Sequence, residues 1–137
     1  MPALYTAVAT SVGRDGRSLS DDGVLDLKLA RPKAMGGVGD GTNPEQLFAA
    51  GYSACFASAL QVVAKRKNIE ASEAAVTAEV TLNTQEGGGF GLSVVLRVEL
   101  PEHLQNEQGR ELVEAAHQVC PYSNATRGNI PVELVVE

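Results

Sequence analysis

Tryptophan is absent, and phenylalanine and tyrosine together make up only 4% of the 137 residues. Positive charge is also scarce. Eleven lysines and arginines face 17 aspartates and glutamates, for a net charge of −6. That balance argues against a nucleic-acid partner, which would need a basic stripe. It also argues against an anionic membrane surface. No apolar run is long and unbroken. The longest, Leu47 to Ala64, is interrupted by Gly51, Tyr52, Ser53, Ser58 and Gln61, so it reads as a buried helix and not as a membrane span. The N-terminus, Met1-Pro2-Ala3-Leu4-Tyr5-Thr6, shows neither a basic segment nor a continuous apolar one. No secretory peptide is expected, and a cytoplasmic location follows as the expectation. Only two cysteines are present, Cys55 and Cys120.

What is present suffices for one domain. A chain of this length with 44% apolar residues can bury a core. Leu4 to Val12 reads as a strand, followed by a turn at Gly13-Arg14-Asp15-Gly16. Leu25, Leu27 and Leu29 alternate with Asp26 and Lys28, the pattern of a half-buried strand. A glycine-rich loop spans Arg31 to Thr42. Asn43-Pro44-Glu45-Gln46 is a helix start, with Asn43 at the N-cap, Pro44 at the first helical position and Gln46 placed to complete a capping box. That helix is expected to run to about Lys67 and to be buried on nearly every face.

Ala75 to Thr84 reads as a strand, Glu86-Gly87-Gly88-Gly89 as a hairpin turn. Leu92, Val94, Leu96, Val98 and Leu100 then give five alternating inward positions. Asn106 to Val119 predicts a second helix weakened by Gly109. Pro131 to Val136 predicts a closing strand. The order of elements is α+β, with no linker or repeat, so residues 1–137 are expected to form a single domain.

Two separated cysteines in a reducing compartment are either inert buried thiols or a redox pair. A standing disulfide across this loop would contribute about 4 kcal/mol in the chain-entropy model, which a reducing cytoplasm cancels. His117, Cys120, Cys55 and a carboxylate can be drawn as a zinc site. No close ligand pair of the C-x2-C kind supports it, so no metal is expected. A reactive Cys55 needs a cation. Lowering a thiol by about two pK units takes ~2.7 kcal/mol, which one well-placed arginine can supply. Taken alone, Arg14 is a turn residue and Glu45 a favourable partner of the helix dipole.

Three segments then point to a family. Gly41-Thr42-Asn43-Pro44-Glu45-Gln46-Leu47-Phe48-Ala49-Ala50-Gly51-Tyr52-Ser53-Ala54-Cys55-Phe56 closely resembles the peroxidatic helix of bacterial organic hydroperoxide resistance proteins of the OsmC-like superfamily. Val119-Cys120-Pro121-Tyr122-Ser123-Asn124-Ala125-Thr126-Arg127-Gly128-Asn129-Ile130 resembles their resolving-cysteine segment. Gly13-Arg14-Asp15-Gly16 matches the loop with their catalytic arginine, with Arg17 as a rival to Arg14.

The resemblance implies an OsmC-like fold: two antiparallel sheets around a long buried central helix, in an intertwined homodimer. It implies a thiol peroxidase that reduces alkyl and fatty-acid hydroperoxides. In that reading Cys55 is the peroxidatic thiol, Cys120 resolves it, Arg14 stabilises the thiolate and Glu45 orients Arg14. The reductant is a dithiol, dihydrolipoamide or a lipoylated protein, and no resident cofactor, nucleic acid or membrane is involved. Phe48, Phe56, Ala54, Ala59 and Met35 are expected to line an apolar substrate channel. A non-enzymatic thiol redox sensor and an apolar small-molecule binding protein stay open as alternatives. Glu45 and Cys55, ten residues apart, are separated by about 15 Å on a straight helix. Glu45 and Arg14 are therefore expected to reach Cys55 from the partner chain.

Overall fold

Local sequence signals set the boundaries of most elements in the computed structural model, which describes all 137 residues. The chain divides into two compact units, Met1–Leu47 and Phe48–Glu137.

In the first unit, β1 (Ala9–Ser11), β2 (Arg17–Ser20) and β3 (Asp26–Lys28) form an antiparallel sheet in the order β1-β2-β3. The expected strand from Leu4 shrinks to Ala9–Ser11. Ala9, Thr10 and Ser11 pair with Ser20, Leu19 and Ser18, and the flanking Val8 carbonyl accepts the Asp21 N–H at 3.0 Å. Residues 1–8 are exposed, with Leu4 and Tyr5 among them. The glycine-rich loop contains a single 3-10 turn at Lys33–Met35.

Helix α1 runs from Pro44 to Arg66. Asn43 Oδ1 accepts the Gln46 N–H at 2.8 Å, so the cap is as expected. The reciprocal half of the capping box is not made, because the Gln46 side chain accepts from Thr42 Oγ1 at 2.8 Å instead.

The second unit holds the core. Tyr52, Phe56, Ala59, Leu60, Val63 and Ala64 form the buried face of α1. They cluster with Val94, Leu96 and Val98 of β5 (Phe90–Glu99) and with Leu112, Val113 and Ala116 of α2 (Glu107–Val119). Burying each large side chain contributes about 1.5–3 kcal/mol. The helix is not buried all round within one chain. Ala50, Ala54, Ser58 and Val62, spaced four apart on one stripe, are exposed. By length and composition alone α1 could cross a membrane, yet its Tyr52, Phe56, Leu60 and Val63 pack into the protein core.

Strand β4 (Ala75–Thr84) pairs antiparallel with β5 over ten residues, from Ala75↔Glu99 to Thr84↔Phe90. Gly87 and Gly88 turn the hairpin at φ of 89° and 91°, where a side chain would be strained. Of the five inward positions expected on β5 and just beyond it, Val94, Leu96, Val98 and Leu100 are buried and Leu92 is half-buried. Strand β6 (Val132–Val136) joins β5 in parallel, Leu96 against Leu134, so this sheet is mixed and not wholly antiparallel. The α2 and α3 connection makes the parallel pairing possible.

Asn106 caps α2 by accepting the Gly109 N–H at 3.1 Å. Gly109 is buried, and a Cβ there would overlap the Leu104 carbonyl. The weak helix former is thus a packing requirement. The remaining helix, α3 (Pro121–Thr126), was not expected from the sequence.

Candidate functional site

The four residues singled out from the sequence form two pairs. In the first unit Arg14 sits next to Gly13, whose φ is +62°. The Arg14 Nη1 donates to Glu45 Oε1 at 3.1 Å, and Nη2 to Oε2 at 3.4 Å. The side chains keep 30% and 18% of their surface. This two-point contact holds the planar guanidinium in one orientation and leaves its other N–H groups free. The hydrogen bond to Glu45 raises the Arg14 pKa above its ordinary value. Arg17, the rival, is exposed and pairs with Asp26 at 2.5 Å.

In the second unit the two thiols face each other. Cys55 is half-buried on α1, and Cys120 is fully buried between α2 and α3. Their sulfurs are 3.6 Å apart, with the Cys120 S–H donating toward Cys55. A disulfide needs about 2.05 Å, so a shift of about 1.5 Å closes the bond. Burial pushes the Cys55 thiol up, the adjacent Cys120 adds to the rise, and the Tyr122 backbone N–H bonded to the Cys55 sulfur works against it.

Helix α3 positions Cys120. Pro121 occupies its first turn, and Cys120 Sγ accepts the Ser123 N–H at 3.5 Å, so the thiol is the helix cap. Behind it lies a polar cluster. Tyr52 Oη is 2.9 Å from Ser123 Oγ and 3.1 Å from Thr126 Oγ1, and His117 Nδ1 is 2.8 Å from Ser123 Oγ. Burial, and then the positive Arg127, lower the His117 pKa. Arg127 also ties down this segment, donating to Asn124 Oδ1 at 2.7 Å and to the His117 carbonyl at 2.6 Å.

The expected lining of an apolar channel is partly corrected. Phe56 and Ala59 point into the core, Phe56 with its ring 6.2 Å from that of His117. Phe48, also expected there, is half-buried, and its ring packs with those of buried Tyr52 and exposed Tyr122, with centroids 5.6–6.2 Å apart. Gly51 makes this possible, because a Cβ there would lie 2.8 Å from Tyr122 Oη and 3.1 Å from its ring. Tyr52, Tyr122 and Ser123 gave no sequence signal of their own, since their importance lies in contacts between distant parts of the chain, such as Tyr52 to Ser123 across 71 positions.

The second unit thus holds two facing thiols, Cys55 on α1 and Cys120 at the cap of α3, and the first unit separately holds the Arg14–Glu45 pair. The family model described as OsmC-like protein matches residues 37–135. The chain belongs to the OsmC-like family. An organic hydroperoxide resistance protein of Xanthomonas axonopodis pv. citri is 51% identical over 140 residues, covering 97% of this chain and 94% of that one. Among solved structures, an organic hydroperoxide resistance protein from Elizabethkingia anophelis aligns with a TM-score of 0.92 at 51% identity, covering 100% of this chain and 99% of that one. The organic hydroperoxide resistance protein OhrB of Bacillus subtilis aligns with a TM-score of 0.89 at 50% identity, over 98% and 100% of the two chains. This member of the OsmC-like family thus shares the α+β fold of those neighbours, with two sheets and a long helix.

Proposed function

We propose that this chain acts in organic hydroperoxide resistance as a thiol-dependent peroxidase. The 3.6 Å approach of Cys55 and Cys120 sulfurs carries the proposal. A close thiol pair is what a two-cysteine peroxidase needs to convert a sulfenic acid to a disulfide before a second oxidation. The names of its relatives, organic hydroperoxide resistance proteins, support the substrate class.

The Cys55 thiolate attacks the distal oxygen of R–O–O–H. A sulfur–oxygen bond forms, the O–O bond breaks, and the alkoxide leaves as alcohol with one proton. Arg14, held by Glu45, offsets the negative charge that develops on the leaving oxygen. Cys120 then displaces hydroxide from the Cys55 sulfenic sulfur. The S–S bond forms, the S–O bond breaks, and water departs with the thiol proton. A dithiol reduces the disulfide by exchange. Dihydrolipoamide or a lipoylated protein fits that role, and no resident cofactor or metal enters the cycle.

The working unit in this reading is a cytoplasmic homodimer. The exposed stripe Ala50, Ala54, Ser58 and Val62 on α1 would pack against a second copy. Arg14 and Glu45 of one chain would complete the site of the other. The partly exposed rings of Phe48 and Tyr122 favour alkyl and fatty-acid hydroperoxides by accommodating an apolar tail. The test is steady-state turnover with dihydrolipoamide. Cumene hydroperoxide is expected to be reduced far faster than hydrogen peroxide. Equal rates, or no turnover with either, would refute the proposal.

A further inference from the structure

The polar cluster behind Cys120 has a fixed direction that follows from counting hydrogens. Thr126 has one hydroxyl hydrogen, and its Oγ1 donates to the Ser123 carbonyl at 3.3 Å. Toward Tyr52, Thr126 must therefore accept, so the Tyr52 O–H donates to it. With that hydrogen committed, Tyr52 Oη accepts from the Ser123 O–H. Ser123 Oγ in turn accepts from His117, which must carry a proton on Nδ1. The chain runs from His117 to Ser123, Tyr52, Thr126 and back to the Ser123 carbonyl. Its hydroxyl members are buried, with Tyr52 and Ser123 at 0% exposure.

Ser123 is thereby held at every polar atom. Its hydroxyl bridges His117 and Tyr52, its carbonyl accepts from Thr126, and its N–H donates to Cys120 Sγ at 3.5 Å. Tyr52 lies one turn before Cys55 on α1, so the same chain ties the Cys120 segment to the helix that bears Cys55.

We propose that His117, Ser123, Tyr52 and Thr126 are positioning residues for the resolving thiol. They hold Cys120 within reach of the Cys55 sulfur and so favour disulfide closure over further oxidation of Cys55. The proposal rests on the peroxidase reading for its place in the cycle. In the step concerned, the Cys120 sulfur attacks the Cys55 sulfenic sulfur and hydroxide leaves with the Cys120 proton as water. The sulfenic sulfur is reduced and the thiol sulfur oxidised by one electron each.

Ser123→Ala, Tyr52→Phe, His117→Ala and His117→Asn test it, Asn keeping an N–H near the Nδ1 position. Intact mass after rapid mixing with cumene hydroperoxide separates sulfenic acid, disulfide and sulfinic acid. Ser123→Ala and His117→Ala are expected to close the disulfide about tenfold more slowly, the loss of one buried hydrogen-bond arrangement. Sulfinic acid should accumulate at peroxide concentrations that leave the wild type intact. Tyr52→Phe should act in the same direction, and His117→Asn should recover most of the closure rate. A merely structural role would lower Tm and leave the partition between disulfide and sulfinic acid unchanged, and that result would overturn the proposal. Diamide supplies the same pairing without peroxide. Slower closure with diamide in the variants supports the network, and unchanged closure overturns it. Failure of the wild type to pair its thiols with cumene hydroperoxide would instead remove the peroxidase reading.

Discussion

Replacing Arg14 with alanine gives the sharpest test of how Cys55 becomes reactive. Within its own unit the Cys55 thiol is pushed up by burial and by Cys120, against a single opposing N–H from Tyr122. A thiol at its ordinary value near 8.5 is only a few per cent ionised at neutral pH, and this one would be less so. A guanidinium about 4 Å away contributes about 4 kcal/mol at an effective dielectric of about 20. Arg14 retains 30% exposure and shares its charge with Glu45. Discounting for both leaves a smaller gain that still favours the thiolate. The wild-type alkylation midpoint is then expected to lie below that of Arg14→Ala, because only the wild type has the guanidinium to favour the thiolate. At neutral pH the thiolate fraction would fall in Arg14→Ala, and the first step would slow with it, about tenfold for each pK unit of the shift. Iodoacetamide alkylation against pH, in a Cys120→Ser background, reads Cys55 alone. A midpoint unmoved by Arg14→Ala would refute the argument and return attention to Arg17 or Arg127.

Three further outcomes are expected. Co-refolding inactive Cys55→Ser chains with inactive Glu45→Ala chains should restore part of the activity if Glu45 serves the partner's thiol; no recovery would place Glu45 in the site of its own chain. Gly109→Ala should lower stability by about 1–3 kcal/mol in chemical denaturation, because its Cβ meets the Leu104 carbonyl; an unchanged midpoint would show that α2 can shift freely. His117, with its pKa lowered in the folded state, contributes stability that is present above its unfolded pKa near ~6.5 and lost as pH falls through the folded value. His117→Asn should flatten the Tm profile in that acidic window, and an identical slope would exclude His117 as its source.

Much of this was legible in the sequence. Asn43-Pro44 marked the start of α1 correctly because the cap and the fixed proline φ act within a single turn. The β4–β5 hairpin was legible from alternation and a run of glycines. Long-range choices were not. Gln46 turned to Thr42 and away from the capping box, and Leu4 to Ala7 lie outside the ladder that begins at Ala9. Helix α3 was invisible because Pro121-Tyr122-Ser123-Asn124-Ala125-Thr126 has no apolar period and few good helix formers. It is held by the Cys120 cap and by hydroxyls from Tyr52, contacts that local propensity does not encode. For the same reason the two cysteines were recognisable as a possible pair, while their supporting network was not.

The central claim is that Cys55 and Cys120 act in sequence on one peroxide. Adding a single equivalent of cumene hydroperoxide to the reduced protein and recording intact mass and free thiols tests it most directly. The wild type is expected to lose two hydrogen atoms and both thiols, with no retained oxygen, and Cys120→Ser to gain one oxygen at Cys55 and then a second as peroxide is increased. A wild-type protein that retains both thiols, or that holds oxygen on Cys55 with Cys120 still free, would contradict the account.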